Sequence, residues 1–310
     1  MRSALLLGVF LVGSCVASRA DRPNDVVDDD RGIGDARDRT DDGRQQLFVD
    51  RLASDKNGAL CRAVIDRLHT DDHEALKPFI DRSALVERAL KSVRLSPERA
   101  ASWRRSAETI EPLSQYYFPK GSRFYCLGTF PFEGSDVLAL RGRQPSGKFS
   151  YLLLHLGGNA ERPFDDYRVV ESGFWHSELQ VFFEDPVREP FQKQQREMLM
   201  ASFDGKHDAI IEQFNALPAS VQNTAVMFSH YVNAVMTVTT TGGEQDSAEF
   251  KQAADRIDAV YQDSMARAYW HVIFSARLGD KERALAEVST LTAPFQDPLA
   301  DELRLWVAER

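Results

Sequence analysis

The residues with the best claim to chemistry are His155, Tyr151, Asp166 and Tyr167. Phe149, Tyr151, Leu153 and His155 alternate with leucines at 152, 154 and 156, so the period of two puts the first set on one face of a strand. If that face lines a pocket, an imidazole with Asp166 or Tyr167 nearby has the makings of a ligand site or a general base. The competing reading, a histidine satisfied inside a core, needs no ligand. His69 and His73, with Glu74, would share a face only of a continuous helix. They fall between two helical patterns, where a polar linker is expected, so no metal site is assigned. Trp175 and His176 read as packing and turn residues, and His207, His230 and His271 as surface or core. No Gly-rich phosphate loop, nucleophile elbow, zincin helix or paired CxxC occurs. No catalytic residue, cofactor or metal is therefore assigned.

These side chains sit in a run, 122–185, whose short apolar or alternating segments are separated by Gly, Pro and Asn turns. Strands are expected over 123–130, 136–143, 148–156 and 165–171, with turns at 132–135 and at Gln144-Pro145-Ser146-Gly147. Amphipathic helices are expected before it, over 47–68 with an interruption at Asn57-Gly58, and over 85–95. Ser96 and Pro97 have the residue types of an N-cap and first turn, opening another helix. After residue 188 the pattern is helical. Segments are expected over 191–203, 206–217, 219–238, 246 onward, 263–278, 281–291 and after Pro298, with a loop at 239–243. Asp246 and Glu249 are spaced like a capping box.

Helices beside a strongly bent antiparallel sheet make an α+β arrangement. The stretch Asp166-Tyr-Arg-Val-Val-Glu-Ser-Gly-Phe-Trp-His-Ser-Glu-Leu179 resembles the closing strand of nuclear transport factor 2-like domains in exported bacterial proteins. That resemblance covers residues 47–187 and implies a cone-like curved sheet, a fold that hosts both enzymes and binding modules. The turns Phe203-Asp-Gly-Lys-His-Asp-Ala209 and Leu278-Gly-Asp-Lys-Glu-Arg-Ala284 echo each other and resemble tetratricopeptide repeats. The Trp, Leu and Gly of that repeat's first helix are out of register, so the resemblance implies a degenerate helical array over 188–310. Stacked helix pairs of this kind leave a concave binding face.

The chain has 310 residues and a formal net charge of −9, with no basic run, which argues against nucleic acid as a partner. Residues 1–20 combine Arg2 with a short apolar core, as a signal peptide does. Two processing routes fit: cleavage after Ser18-Arg19-Ala20, or lipidation of Cys15 in Val12-Gly13-Ser14-Cys15, which resembles a bacterial lipobox. Residues 21–46 alternate aspartate with arginine and carry too little apolar surface to offset the entropy of ordering, so a solvated tether is expected. Asp28-Asp29-Asp30 lacks the spacing of a calcium loop. Cys61 and Cys126 are compatible with one disulfide in an exported protein, or with two buried thiols.

These readings converge on an exported, periplasmic or secreted protein, anchored by lipid if Cys15 is modified. Its expected role is non-enzymatic: a helical groove binding an unidentified protein or peptide. The alternative is a small-molecule or catalytic pocket centred on His155 inside the sheet domain.

Overall fold

The computed structural model describes residues 55–70, 75–107, 121–144, 149–182, 191–242, 248–297 and 300–309. The expectations for the signal segment, Cys15, the tether, His73, Glu74 and the Asp246 cap lie outside the described residues.

Among the described residues three α-helices precede the sheet: α1 (Gly58–Leu68), α2 (Arg82–Ser92) and α3 (Pro97–Arg105). The starts of α2 and α3 follow from side-chain oxygens that satisfy first-turn N–H groups. Asp81 Oδ1 accepts from Ala84 N at 3.0 Å, and Ser96 Oγ from Arg99 N at 3.3 Å.

The sheet has four antiparallel strands in chain order: β1 (Arg123–Phe132), β2 (Ser135–Arg143), β3 (Phe149–His155) and β4 (Asp166–Val169). Glu133 and Gly134, at φ 49° and 79°, make the tight left-handed turn that suits a two-residue hairpin. A register shift between Cys126 and Gly128 interrupts β1, and such irregularities bend a strand. The outer edge of β1 is blunted by side chains: Asp55 Oδ2 accepts from Thr129 N at 2.7 Å and His69 Nε2 from Phe124 N at 3.1 Å. β4 is shorter than expected, because the chain turns into a 3₁₀ segment, Val170–Ser172, where Ser172 Oγ donates to Val169 O at 2.6 Å.

Nine helices follow among the described residues: α4 (His176–Phe182), α5 (Gln192–Phe203), α6 (His207–Ala216), α7 (Ala219–Gln222), α8 (Ala225–Gly242), α9 (Ala248–Val260), α10 (Ser264–Arg277), α11 (Lys281–Thr292) and α12 (Ala300–Glu309). The segment expected over 219–238 is broken at Asn223, where Gln222 Nε2 donates to Leu217 O at 2.8 Å and Phe214 O at 2.9 Å. The loop expected at 239–243 is a misreading, since α8 continues to Gly242. Thr239 Oγ1 donates to Val235 O at 2.9 Å, so the hydroxyl is satisfied by the helix itself. No helix among the described residues is long and apolar enough to cross a membrane.

The architecture is mixed α+β, and helices cover both faces of the sheet rather than one. On one face Phe124, Cys126, Leu138, Leu140, Leu152 and Leu154 pack against Cys61 and Val64 of α1 and Leu85 of α2. On the other, Leu127, Val137, Ala139, Tyr151 and Leu153 share a core with Phe228, Tyr231, Tyr269, Trp270 and Phe295 of the C-terminal helices. Every residue of β3 is buried, which explains why its leucines read as a nearly continuous apolar run. Burial of one such leucine contributes about 1.5–3 kcal/mol. The described residues belong to one compact unit, Leu47–Arg310. Cys61 and Cys126 are joined by a disulfide, with Cα atoms 6.1 Å apart, which ties α1 to β1 inside the first core.

Candidate functional site

His155 closes β3, and the register of the sheet sets it beside Asp166 at the start of β4. The two residues meet because β3 and β4 are antiparallel neighbours, as the alternation of β3 alone does not reveal. Around them lies a knot of charge. Asp165 Oδ1 contacts His155 Nδ1, and Arg88 of α2 approaches His155 Nε2 at 3.0 Å. Arg88 Nε also reaches Asp166 Oδ2 at 3.1 Å. The network assigns the imidazole one donor and one acceptor: Nδ1–H donates to Asp165, and Nε2 accepts from Arg88 Nη1–H. The Trp175 ring sits edge-on to His155, with centroids 5.7 Å apart, and Arg88 Cζ lies 5.3 Å from the Trp175 ring centroid.

Asp166 is the most deeply placed member, with a side chain 0 % exposed. Its Oδ1 accepts from Tyr167 N at 2.9 Å and Ser177 N at 3.1 Å, and its Oδ2 from Ser177 Oγ at 2.5 Å. Burial pushes its pKa up to about 6, against the opposing pull of the Ser177 and Tyr167 hydrogen bonds and the Arg88 charge. The site is thus a polar cluster whose members satisfy one another. Arg88 occupies the imidazole nitrogen that a general base would need free.

The other two residues named with His155 lie elsewhere. Tyr151, two side chains back on the same face of β3, donates its hydroxyl to Asp297 Oδ2 at 2.5 Å. Arg141 Nη1 donates to that same oxygen at 2.9 Å, and burial together with Asp297 raises the Tyr151 pKa well above its ordinary range. Tyr167 points to the opposite face of the sheet and stacks on His176, centroids 4.5 Å apart. Burial pushes the His176 pKa down to about 3. Arg88, Asp165, Trp175 and Ser177 were not singled out for the site. Asp165 and Ser177 carried a faint signal as neighbours of Asp166 and His176, whereas nothing local marks Arg88, 67 positions from His155.

Among the described residues, no group of three or more His, Cys, Asp or Glu is placed to hold a metal ion. His69, the described member of the His69–His73 pair, spends Nε2 on the β1 edge.

Two open spaces stand out, and the second reaches Trp175 beside the His155 ring. A groove of about 650 Å³ runs between α5 and α6, lined by Lys193, Arg196 and Met200 on one side and by Lys206, Ala209 and Gln213 on the other. The α5 residues recur at helical spacing and form one stripe. A second depression, of about 490 Å³, has Arg168 and Trp175 in its lining with Glu133 and Asp263. Arg168 is buried there, its Nη2 2.5 Å from Asp263 Oδ1 and its Nη1 3.3 Å from Glu133 Oε1. His155 lines neither space.

Comparison with protein-family models, with curated proteins and with solved structures finds no match to this chain.

Proposed function

We propose that this chain is a non-enzymatic interaction protein that holds a peptide or protein segment in the groove between α5 and α6. One observation carries the reading: side chains fill both faces of the sheet, while an open volume follows a helix pair. A filled sheet leaves a small molecule no interior to enter, and a groove between helices suits an extended or helical segment.

The finer fold belongs to the same proposal: a curved, nuclear transport factor 2-like sheet module joined to degenerate tetratricopeptide-like helices. The two echoing turns support the second part. Gly205 and Gly279 both adopt positive φ, 67° and 80°, and the residues after them, Lys206 and Asp280, share nearly the same backbone angles, −86°/71° and −82°/72°. Each turn is closed by the same bond pattern, Lys206 N to Ala201 O and Asp280 N to Ser275 O, both 2.9 Å. The strand irregularity in β1 supports curvature.

Export is part of the reading as well. The Cys61–Cys126 disulfide is stable in an oxidising compartment, which agrees with a signal peptide and a lipid anchor at Cys15.

The test is affinity capture with three full-length proteins: wild type, Met200→Arg and His155→Ala. Met200 is 48 % exposed, so its substitution leaves the core intact. The reading predicts one specific partner, held by wild type and His155→Ala and lost from Met200→Arg. Loss from His155→Ala alone, with the fold preserved, would turn the assignment to the His155 cluster.

A further inference from the structure

The groove has a charge character opposite to that of the chain as a whole, which is −9. Its lining carries Lys193, Arg196 and Lys206 against Glu197 and Asp204. Both acids are already engaged: Glu197 Oε1 lies 3.7 Å from Lys193 Nζ, and Asp204 Oδ2 lies 2.8 Å from Lys206 Nζ. Arg196 is exposed and has no carboxylate partner among the described residues. An exposed guanidinium at the rim offers a planar, two-pronged donor that matches a carboxylate.

The rest of the lining specifies more. Met200 is a flexible apolar side chain held half in solvent beside Ala201 and Ala209. Methionine adapts to differing apolar partners, and the two alanines allow close approach. Gln213 lines the same groove, and its Oε1 is buried with no hydrogen-bond donor. A buried oxygen without a donor is destabilising, so it gains from an occupant that supplies one. After a side-chain rotation it has an acceptor to offer an occupant's N–H.

We infer that the α5–α6 groove selects an acidic-apolar peptide segment, with a carboxylate on Arg196, an apolar side chain on Met200, Ala201 and Ala209, and an N–H on Gln213. The inference rests on the groove reading above and adds the chemical class of the occupant. Lys193 and Lys206 serve it by neutralising the groove's own acids, which removes the repulsion that a carboxylate would otherwise meet. A basic segment meets the reverse situation, with an arginine at the rim that has no carboxylate partner among the described residues and no free acid in the described lining.

The experiment uses the full chain and two fluorescein-labelled probe peptides of equal length, one alternating Leu with Asp and one alternating Leu with Lys. Fluorescence polarisation reads affinity, and amide chemical shifts of Met200, Ala201, Ala209 and Gln213 read location. The Leu/Asp peptide is expected to shift those amides. Its affinity should fall about tenfold in Arg196→Glu, a loss of about 1.4 kcal/mol, while the Leu/Lys peptide gains in the same variant. Circular dichroism of the variant confirms its fold. Leu/Lys binding in the wild-type groove as tightly as Leu/Asp would overturn the acidic class and leave the groove reading standing. Leu/Asp binding that leaves those four amides unmoved, or no binding by either peptide, would overturn both.

Discussion

Asp166 is the residue whose environment makes the sharpest statement. Its pKa rises from 3.8 to about 6, so the folded chain binds this proton more tightly than the unfolded chain does. The sign follows from linkage: the contribution to stability is fully present below about pH 4 and is lost as pH rises through about 6. A two-unit shift corresponds to about 3 kcal/mol. Asp166→Asn removes the titration. The difference in unfolding free energy, wild type minus Asp166→Asn, should therefore decline between pH 4 and 6 by up to that amount, as read from denaturant titrations at each pH. A flat difference would mean that Arg88 and Ser177 offset the burial. The meeting of His155 with Asp166 was within reach of the sequence, because alternation places His155 near the end of the third expected strand and the fourth is expected to open at 165. Arg88 was not, since an arginine on a helix acquires such a role only when tertiary packing delivers it to a strand end.

The elements divide by how local their causes are. β1, β2 and β3 were legible because alternation, turn residues and hairpin connection are all short-range. α4 was missed because its seven residues hold barely two turns, and its start depends on Glu178 Oε2 accepting from Trp175 N at 2.8 Å. The threonine run that ends α8 reads as loop on propensity, and the helix wins through back-bonded hydroxyls and burial of Thr239. The disulfide belongs to the same set: spacing left open what packing of α1 on β1 decides. It closes a loop with a separation of 65. In the loop-entropy account this contributes about 4 kcal/mol. The double variant Cys61→Ser with Cys126→Ser should lose up to that much in urea unfolding, and free-thiol titration of the denatured wild type should find neither cysteine reactive. Reactive thiols at both positions would contradict the pairing.

For the molecule as a whole, the sequence reads as a sheet module over 47–187 and a helical array over 188–310, and in the structure the sheet and the later helices contribute to one core. The join is chemical as well as apolar. Asp297, beyond α11, receives both Arg141 from β2 and Tyr151 from β3, 156 and 146 positions away in the chain. Such separations leave no trace in local pattern. Asp297→Ala would leave the buried Arg141 guanidinium with only the longer 3.5 Å contact to Glu302 and would remove the acceptor of Tyr151, at a cost of up to about 3 kcal/mol, and both parts should weaken together. Tryptophan fluorescence and far-ultraviolet circular dichroism are expected to report one coincident transition in wild type and variant. Two separated transitions would contradict a shared core.

If the proposal holds, a partner sits on the α5–α6 groove and the His155 knot only packs. Lysine-directed crosslinking of the captured partner, mapped by mass spectrometry, tests this most directly. Lys193 and Lys206, with side chains 89 % and 65 % exposed, flank the groove, and Lys91 lies on α2 one turn from Arg88. Crosslinks concentrated on Lys193 and Lys206 are predicted. Crosslinks concentrated on Lys91, with the groove lysines unmodified by the partner, would contradict the account.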